Sequence, residues 1–225
     1  MCGRFTLTTT AQPKLRRRFD LDESLRLEEE PRFNIAPTDP VLAIRERDDG
    51  GRDAGRLRWG LMTGREAGAH KSLINARAET LDTKPVFRES FRERRCLVPA
   101  DGFYEWRTDD RGKQPLWINR ADDELFAFAG IWAEAPGRNG TPVVSCAIVT
   151  CEPNELMRPI HDRMPVILDP DAEREWLSDA SEPEDLLTLL RPAPADALQV
   201  REVTDAVNSV RNDGPGLLES PLRLF

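Results

Sequence analysis

The sequence predicts an α+β fold: a single domain, residues 2–225, with an antiparallel, β-barrel-like core and peripheral helices. Many apolar segments of strand length follow one another at short spacing, whereas helical patterns occur at the margins. A chain of 225 residues is long enough to bury a core of this kind. No internal repeat, low-complexity block or clear linker divides it.

The N-terminal part combines a basic helix with a hairpin and a second helix. "LTTTAQPKLRRRFDL" predicts a capped helix that turns Leu15 and Phe19 towards the core. "VLAIRER" and "RLRWGLM" predict paired strands, and the acidic, glycine-rich "DDGGRDAG" between them predicts the hairpin loop. The second helix is predicted to begin near Pro85, with Phe87 and Phe91 on one face because they are four residues apart.

Apolar segments in the second half of the chain predict the remaining strands. In order they are "CLVPADGFYEW", "QPLWINR", "LFAFAGIW", "VVSCAIVT" and "MPVILD". Two helical stretches follow, "DAEREWLS" and "PEDLLTLLR". A last strand, "LQVREV", precedes an irregular tail.

Composition and charge narrow the classes of function. No apolar run approaches the ~20 residues that span a bilayer, and the N-terminus lacks the apolar region of a signal peptide. We therefore expect a cytoplasmic protein with no membrane partner. The net charge of −8 argues against general affinity for nucleic acid, so phosphate contacts must come from a local group of arginines.

Three of the four cysteines have apolar neighbours in the sequence, and the fourth has polar ones. Cys96, Cys146 and Cys151 lie in or beside apolar runs, where a buried, inert thiol is expected. Cys2 lies in the polar start "MCGRF", so removal of Met1 would leave a thiol and an α-amine on one residue. The alternative is a second residue without a chemical role. No cysteine or histidine spacing matches a zinc site, and we expect no metal and no cofactor.

Two strand-like segments carry polar residues in positions that suit a cleft. In "INARAET", a period of two turns Asn75, Arg77 and Glu79 to one face. In "PADGFYEW", Asp101-Gly102 marks a turn, and Glu105 follows among aromatic residues that would desolvate it and raise its pKa. The alternatives are an ordinary half-exposed strand and a glutamate at the solvent rim.

Two further segments are less informative on their own. In "RPIHDRMPVIL", His161 lies between a short helical segment and an apolar strand, and Arg163 could hold a phosphate or pair with Asp162. The other histidine, His70, lies in a loop-like stretch and is interpreted as a bystander. "PRFNIAPT" is predicted to be stiff and non-helical because two prolines bracket it.

Taken together and in order, these segments resemble the SRAP (SOS-response-associated peptidase) family. The segments are "MCGRF", "PRFNIAPT", "RWGL", "INARAET", "CLVPADGFYEW", "AGIW" and "HDRMPVIL". The resemblance runs from Cys2 to about Leu168, and the tail carries little of it. The family often continues "WGL" as "WGLIPxW", whereas this chain reads "WGLMTGREAGAH" and lacks the proline and second tryptophan, which bears on how it would stack on neighbouring bases.

The resemblance implies a protein that shields abasic sites in single-stranded DNA by a covalent crosslink. The family's motifs fall on Cys2, Asn75, Arg77, Glu105, His161 and Arg163. Of these, the expected catalytic residues are Cys2, Asn75, Glu105 and His161. The expected DNA-binding residues are Arg77, Arg163, Arg4, Trp106 and Trp59, where core packing is the alternative for both tryptophans.

The expected chemistry follows from the two nucleophiles of one residue. After autoproteolytic or aminopeptidase removal of Met1, the α-amine of Cys2 would attack the aldehyde of the open abasic sugar and form an imine. The thiol would then close a thiazolidine ring in an intramolecular step. Weak lyase activity is also expected. The partner is single-stranded DNA that contains abasic sites, and the protein is expected to be a monomer that joins the nucleoid during DNA damage.

Two other classes remain open at this point. An N-terminal-cysteine amidohydrolase of the glutamine amidotransferase type also exposes a Cys-Gly start, but it requires a four-layer αββα sandwich. A non-catalytic nucleic-acid or protein-binding module would use the same polar residues only to hold its structure.

Overall fold

A computed structural model describes residues 2–27, 29–47, 49–63, 71–110, 112–137 and 141–221. The strands are β1 (Phe5–Leu7), β2 (Arg32–Ile35), β3 (Pro40–Glu46), β4 (Arg52–Trp59), β5 (Leu61–Thr63), β6 (Lys71–Leu73), β7 (Asn75–Arg77), β8 (Arg95–Ala100), β9 (Gly102–Asp109), β10 (Gly112–Arg120), β11 (Phe126–Pro136), β12 (Pro142–Cys151), β13 (Met164–Pro165), β14 (Ile167–Leu168) and β15 (Leu198–Glu202). The α-helices are α1 (Gln12–Phe19), α2 (Pro85–Glu93), α3 (Pro170–Leu177) and α4 (Pro183–Thr188).

Five strands close on themselves to form a small barrel. Strand β12 pairs with β4, β4 with β3, β3 with β8, β8 with β11, and β11 returns to β12. The β12–β4 pair is parallel, with Ser145 opposite Arg58, and the other four pairs are antiparallel. Closure removes the unpaired edges that an open sheet of these strands would expose. The α+β fold with a barrel-like core is therefore confirmed.

A second, five-stranded sheet carries the start of the chain. Its order is β15-β10-β9-β1-β2, and all four of its pairings are antiparallel. Strand β1 pairs with β9 through Phe5 opposite Phe103 and Thr6 opposite Gly102. The residues just before β1 thus lie beside the middle of β9.

An aromatic cluster joins the two sheets. Phe128 is fully buried, and its ring contacts Phe5, Phe103 and Phe126 at centroid distances of 5.7, 6.1 and 5.2 Å. Phe5 also meets Trp59 edge to face at 5.1 Å. Because Phe5 is only three residues from Cys2, this packing fixes the N-terminal segment as well as the core.

Most of the predicted elements are present, with three differences. "CLVPADGFYEW" forms two strands, β8 and β9, and "MPVILD" divides between β13 and β14. The hairpin loop is shorter than predicted, since Arg52–Gly55 belongs to β4 and pairs with β3 out to Glu46. Helix α1 does bury Leu15 and Phe19, but it has no side-chain cap.

No helix within the described ranges is both long and apolar enough to cross a membrane.

Phe128→Ala is expected to lower the free energy of unfolding by about 3–5 kcal/mol, because it removes a fully buried ring from the joint between the sheets. Urea denaturation followed by circular dichroism measures this. The matched control is Leu187→Ala, at a side chain that is 37% exposed, which should change the value by no more than about 0.5 kcal/mol. A loss below about 1 kcal/mol for Phe128→Ala would contradict the assignment of this ring to the core.

Candidate active site

Cys2 is fully buried at the edge of β1. The backbone N–H of Tyr104 donates to the carbonyl of Arg4, which extends the β1–β9 register one residue towards the N-terminus. Continued by one more residue, this register places Gly3 opposite Glu105. The start of the chain therefore lies against the strand that carries the candidate proton-transfer residue.

Asp101 holds this register in place. Its carboxylate is buried and accepts hydrogen bonds from the hydroxyls of Thr6 (2.6 Å) and Thr8 (2.7 Å) and from the backbone N–H groups of Thr8 (2.6 Å) and Thr9 (2.9 Å). The threonines expected to cap α1 are thus used to bind Asp101. Gly102 follows because a Cβ there would lie 2.3 Å from the Trp117 ring.

Asn75 holds the backbone of Cys2. Its Nδ2 donates to the Cys2 carbonyl oxygen at 2.9 Å. Strand β7 positions Asn75 by parallel pairing with β12, with Asn75 opposite Ile148 and Arg77 opposite Thr150. The Oδ1 atom of Asn75 is buried and has no hydrogen-bond partner among the residues that the structure describes. This free oxygen next to Cys2 can accept a hydrogen bond from an N–H group.

Glu105 is a buried carboxyl group, 3% exposed, on β9. Burial raises its pKa above the ordinary value, and the charge of His161 partly opposes this shift. The environment that the surrounding aromatic residues predict for Glu105 is the one observed. A carboxyl group whose pKa is raised holds a proton more readily and can both accept and return one.

The thiol of Cys2 is neutral in this environment. Burial and the nearby charge of Glu105 raise its pKa far above the usual value, and its Sγ lies 3.8 Å from the carbonyl oxygen of Arg4. Cys96, Cys146 and Cys151 are also buried free thiols, as predicted, and burial raises the pKa of Cys146 and Cys151 to about 12. Cys2 and Cys151 differ from Cys96 and Cys146 by a nearby carboxyl group, Glu105 for Cys2 and Glu79 for Cys151, and not by exposure.

His161 lies on the loop between β12 and β13, with its side chain 28% exposed. Its Nδ1 accepts the backbone N–H of Arg163 at 3.0 Å and lies 2.8 Å from a carboxylate oxygen of Asp162. Nδ1 accepts the Arg163 N–H through its lone pair and can pair with Asp162 only when it carries a proton, so the two contacts are alternatives.

Arg163 pairs with Glu79 rather than with Asp162. Its guanidinium forms a two-pronged ion pair with the Glu79 carboxylate at 2.6 and 2.9 Å, and it donates to the carbonyl oxygen of Thr150 at 2.5 Å. These hydrogen bonds lower the pKa of Glu79. Arg77, two residues before Glu79, is exposed on the same short segment. The two arginines expected to contact phosphate thus lie close together along β7 and β12.

Arg4 and Trp106 form a second group beside the site. Arg4 donates to the Asn34 side chain at 2.9 Å and to the carbonyl oxygen of Val207 at 2.8 Å, and its guanidinium lies 5.7 Å from the centre of the Trp106 ring. Trp106 is half-buried, and its indole N–H donates to Asn208 at 2.7 Å. Arg4 is committed to internal contacts, whereas one part of the Trp106 ring remains accessible.

The expectation that Trp59 stacks on a DNA base is wrong for this structure. Trp59 is fully buried, its indole N–H donates to the carbonyl oxygen of Ile74 at 2.9 Å, and its ring packs on Phe5. The core-packing alternative holds because this side chain is buried against Phe5. Of the altered segment after "WGL", residues 64–70, with His70, lie outside the described residues.

Sequence reasoning missed three residues that build the site. Asp101 was interpreted only as a turn, Asn34 only as part of a stiff segment, and Asn208 lies in a tail that carries no motif. The side-chain partners of Asp101 are 92–95 positions away in the chain, and those of Asn34 are 30–178 positions away. The side-chain partner of Asn208 is 102 positions away. The stiffness predicted for "PRFNIAPT" was the nearest signal, and it did not identify a partner.

Within the described residues, no group of three or more histidine, cysteine, aspartate or glutamate side chains is arranged to hold a metal ion.

A family model of the SOS response associated peptidase (SRAP) matches residues 1–210. The chain belongs to this family. The abasic site processing protein YoqW of Bacillus subtilis is 42% identical over 225 residues, which cover 98% of this chain and 100% of that protein. The abasic site processing protein YedK of Escherichia coli is 32% identical, with 97% and 99% covered.

Solved structures share the fold. A protein from Bacteroides thetaiotaomicron superposes with a TM-score of 0.86 at 23% identity, covering 98% of this chain and 100% of its own. A phage-related protein from Bordetella bronchiseptica gives a TM-score of 0.73 at 30% identity, with 91% and 95% covered. The barrel is not a four-layer αββα sandwich, so the amidotransferase alternative lacks the fold that it requires.

Glu105→Gln is expected to become more stable relative to the wild type as the pH rises from about 4 towards 8. Because the folded-state pKa of Glu105 is raised, its contribution to stability is complete below the unfolded-state pKa of about 4.3 and is lost as the pH rises through the folded-state pKa. Glutamine stays neutral and avoids this loss. Urea denaturation of both proteins across this pH range measures the difference in unfolding free energy.

The matched control is Asp122→Asn, whose stability relative to the wild type should change with pH in the opposite direction. Arg120 lowers the pKa of Asp122 to about 2, so this pair stabilises the wild type at neutral pH and the difference shrinks as the pH falls. The effect is small because the carboxylate is 52% exposed. A difference between Glu105→Gln and the wild type that does not vary with pH would show that Glu105 is not desolvated.

Proposed function

We propose that this protein binds abasic sites in single-stranded DNA and forms a covalent crosslink to them through Cys2. The observation that carries the proposal is the placement of Cys2: it is fully buried, its carbonyl is held by Asn75, and it lies beside the buried carboxyl group of Glu105. An inert second residue needs none of these contacts. The relatives named abasic site processing proteins support the same class of substrate.

The first step requires the removal of Met1, by the protein itself or by an aminopeptidase. The α-amine that this releases has a pKa near 7.7–8.0 in the absence of other effects, so a large part of it is neutral at cellular pH. The unpartnered Oδ1 of Asn75 is available to accept one of its N–H groups. The amine nitrogen attacks the sugar aldehyde, and loss of one water molecule gives the imine.

The second step closes the ring. The Cys2 sulfur adds to the imine carbon, the S–H proton passes to the imine nitrogen, and a five-membered thiazolidine forms with no further leaving group. Because burial keeps the thiol neutral, this proton needs a carrier, and the raised pKa of Glu105 fits that role. Intramolecular attack can reach effective molarities of ~10⁵ M or more, which favours ring closure over release.

His161 is assigned the proton on the sugar oxygen during ring opening. Its side chain is partly exposed and lies next to the carboxylate of Asp162, so it can exchange a proton with a bound sugar. The same proton transfer in reverse would serve the reversal of the crosslink. A trapped imine also allows elimination at the sugar, so weak lyase activity accompanies the proposal.

Arg77 and Arg163 are assigned the phosphates that flank the abasic site. Arg77 is exposed, whereas Arg163 must exchange part of its ion pair with Glu79 for a phosphate. Exchange of one anion for another costs less than desolvation of a free guanidinium. Trp106 is assigned to base stacking, which suits single strands, in which the faces of the bases are accessible. We further propose that the protein acts as a monomer in the cytoplasm, at the nucleoid, during the SOS response.

Cys2→Ser is expected to abolish the stable crosslink while leaving an imine that borohydride can trap, because serine keeps the amine and lacks the thiol. The wild type should give a covalent band on a denaturing gel with an abasic single strand and no band with a tetrahydrofuran strand, which has no aldehyde. Cys146→Ala, at a buried cysteine with no charged neighbour from the site, is the control and should crosslink like the wild type.

Two results would argue against this assignment. A stable band of normal yield from Cys2→Ser would show that the sulfur takes no part. No covalent band from a wild-type sample shown to lack Met1 would favour the non-catalytic binding module instead.

A further inference from the structure

The tail after β15 folds back onto the site as a segment, residues 204–213, that begins with a short 3-10 helix (Asp205–Asn208) and is called the C-terminal strap here. The buried side chain of Asn34 fixes it, because its Nδ2 donates to the carbonyl oxygens of Val207 (3.3 Å), Ser209 (3.0 Å) and Asn212 (2.9 Å). A single amide that serves three carbonyl groups of one segment determines the path of that segment.

Two further contacts hold the strap at its ends. Asp213 accepts hydrogen bonds from the Arg32 guanidinium and from the backbone N–H of Phe33, each at 2.6 Å. Val207 is fully buried and belongs to a small apolar cluster with Tyr104 and Trp117. The strap is therefore anchored to β2 on one side and packed on β9 and β10 below.

Asn208 of the strap fixes the orientation of Trp106. The indole N–H donates to the Asn208 side-chain oxygen at 2.7 Å, while the Arg4 guanidinium lies near the ring at 5.7 Å from its centre. Arg4 also donates to the carbonyl oxygens of Val207 and Asn208, at 2.8 and 3.4 Å, so the arginine, the ring and the strap form one connected unit. A rigid aromatic ring loses little conformational freedom when a base stacks on it.

The residues that follow Asn208 point outwards. Val210 is 57% exposed, and only one other large apolar side chain in the described part of the chain, Leu187 at 37%, is exposed to a similar degree. Arg211 is exposed and forms no ion pair with any residue that the structure describes. An apolar side chain next to an unpaired cation matches the two chemistries of a nucleotide, an apolar base face and an anionic phosphate.

We propose that the C-terminal strap forms one wall of the single-stranded-DNA cleft. Asn208 acts as a positioning residue for the Trp106 ring, and Val210 and Arg211 contact the base and phosphate of the adjoining nucleotide. This inference rests on the proposed function, since it extends the same binding site. It assigns a binding role to a segment that carries no motif and lies about 200 positions from Cys2.

The first test compares Val210→Ser/Arg211→Gln with a matched control, Leu187→Ser/Arg191→Gln. The control removes the other exposed large apolar side chain and an exposed arginine, neither of which belongs to the strap. Fluorescence anisotropy with an undamaged single strand, repeated over a range of salt concentrations, gives the affinity and its salt dependence for each full-length protein.

The strap variant is expected to bind about tenfold more weakly than the wild type, and its plot of log affinity against log salt should be shallower by about 0.7, which corresponds to one phosphate contact on a single strand. The control should match the wild type in both. Equal affinity and slope for strap variant, control and wild type would overturn the contact assigned to Val210 and Arg211.

The second test addresses Asn208 through the indole N–H resonance of Trp106 in the ¹H–¹⁵N spectrum, assigned with Trp106→Phe. Asn208→Ala should speed the exchange of this proton with solvent and weaken binding of the single strand about fivefold or more. Asn208→Gln retains an amide oxygen and should restore part of the protection from exchange and part of the affinity for the single strand. An altered resonance with unchanged affinity, or an unchanged resonance, would contradict the positioning role.

The two proposals fail in different ways. Wild-type protein that binds undamaged single strands through the strap but never crosslinks abasic DNA would refute the proposed function and leave the strap assignment standing. A wild type that crosslinks normally, with strap variants that also bind and crosslink normally, would refute the strap assignment alone.

Discussion

The hydrogen bond from Asn75 to the carbonyl oxygen of Cys2, at 2.9 Å, is the contact on which the rest of the site depends. A chain start is ordinarily the most mobile part of a protein, because few contacts oppose its conformational entropy. Here the start is fixed from both sides, by β7 through Asn75 and by β9 through the β1 ladder. Because the two strands belong to different sheets, the position of Cys2 is defined only when the barrel and the second sheet are packed together.

This placement has an electrostatic consequence. Burial of the Cys2 thiol next to Glu105 favours the neutral forms of both groups, since two negative charges in a desolvated site would repel each other. The site is thus arranged for proton transfer between neutral groups rather than for attack by a preformed thiolate. That arrangement fits a reaction in which the amine acts first and the sulfur second. It also distinguishes Cys2 from Cys96 and Cys146, which have no neighbouring carboxyl group that raises the pKa of the thiol.

Local patterns in the sequence predicted the elements well. Helices α1 and α2 follow from apolar residues four apart, and the environment of Glu105 follows from its aromatic neighbours on β9. The sequence could not show which of two tryptophans is buried. Trp59 and Trp106 both lie in strand-like segments, and only the packing of Phe5 against Trp59 and the contact of Asn208 with Trp106 separate them. The roles of Asp101 and Asn34 were inaccessible for the same reason, because their partners are distant in the chain and hydrogen bonds between distant residues leave no periodic signal.

The central claim is that the amine and the thiol of one released residue capture the abasic sugar together. Intact mass spectrometry of the purified adduct, followed by alkylation and peptide mapping, tests it most directly. The account predicts a mass equal to the chain without Met1 plus the DNA strand less one water, a linkage at Cys2, and a Cys2 sulfur that no longer reacts with an alkylating reagent. An adduct that retains Met1, maps to a lysine, or leaves the Cys2 sulfur open to alkylation would contradict the account.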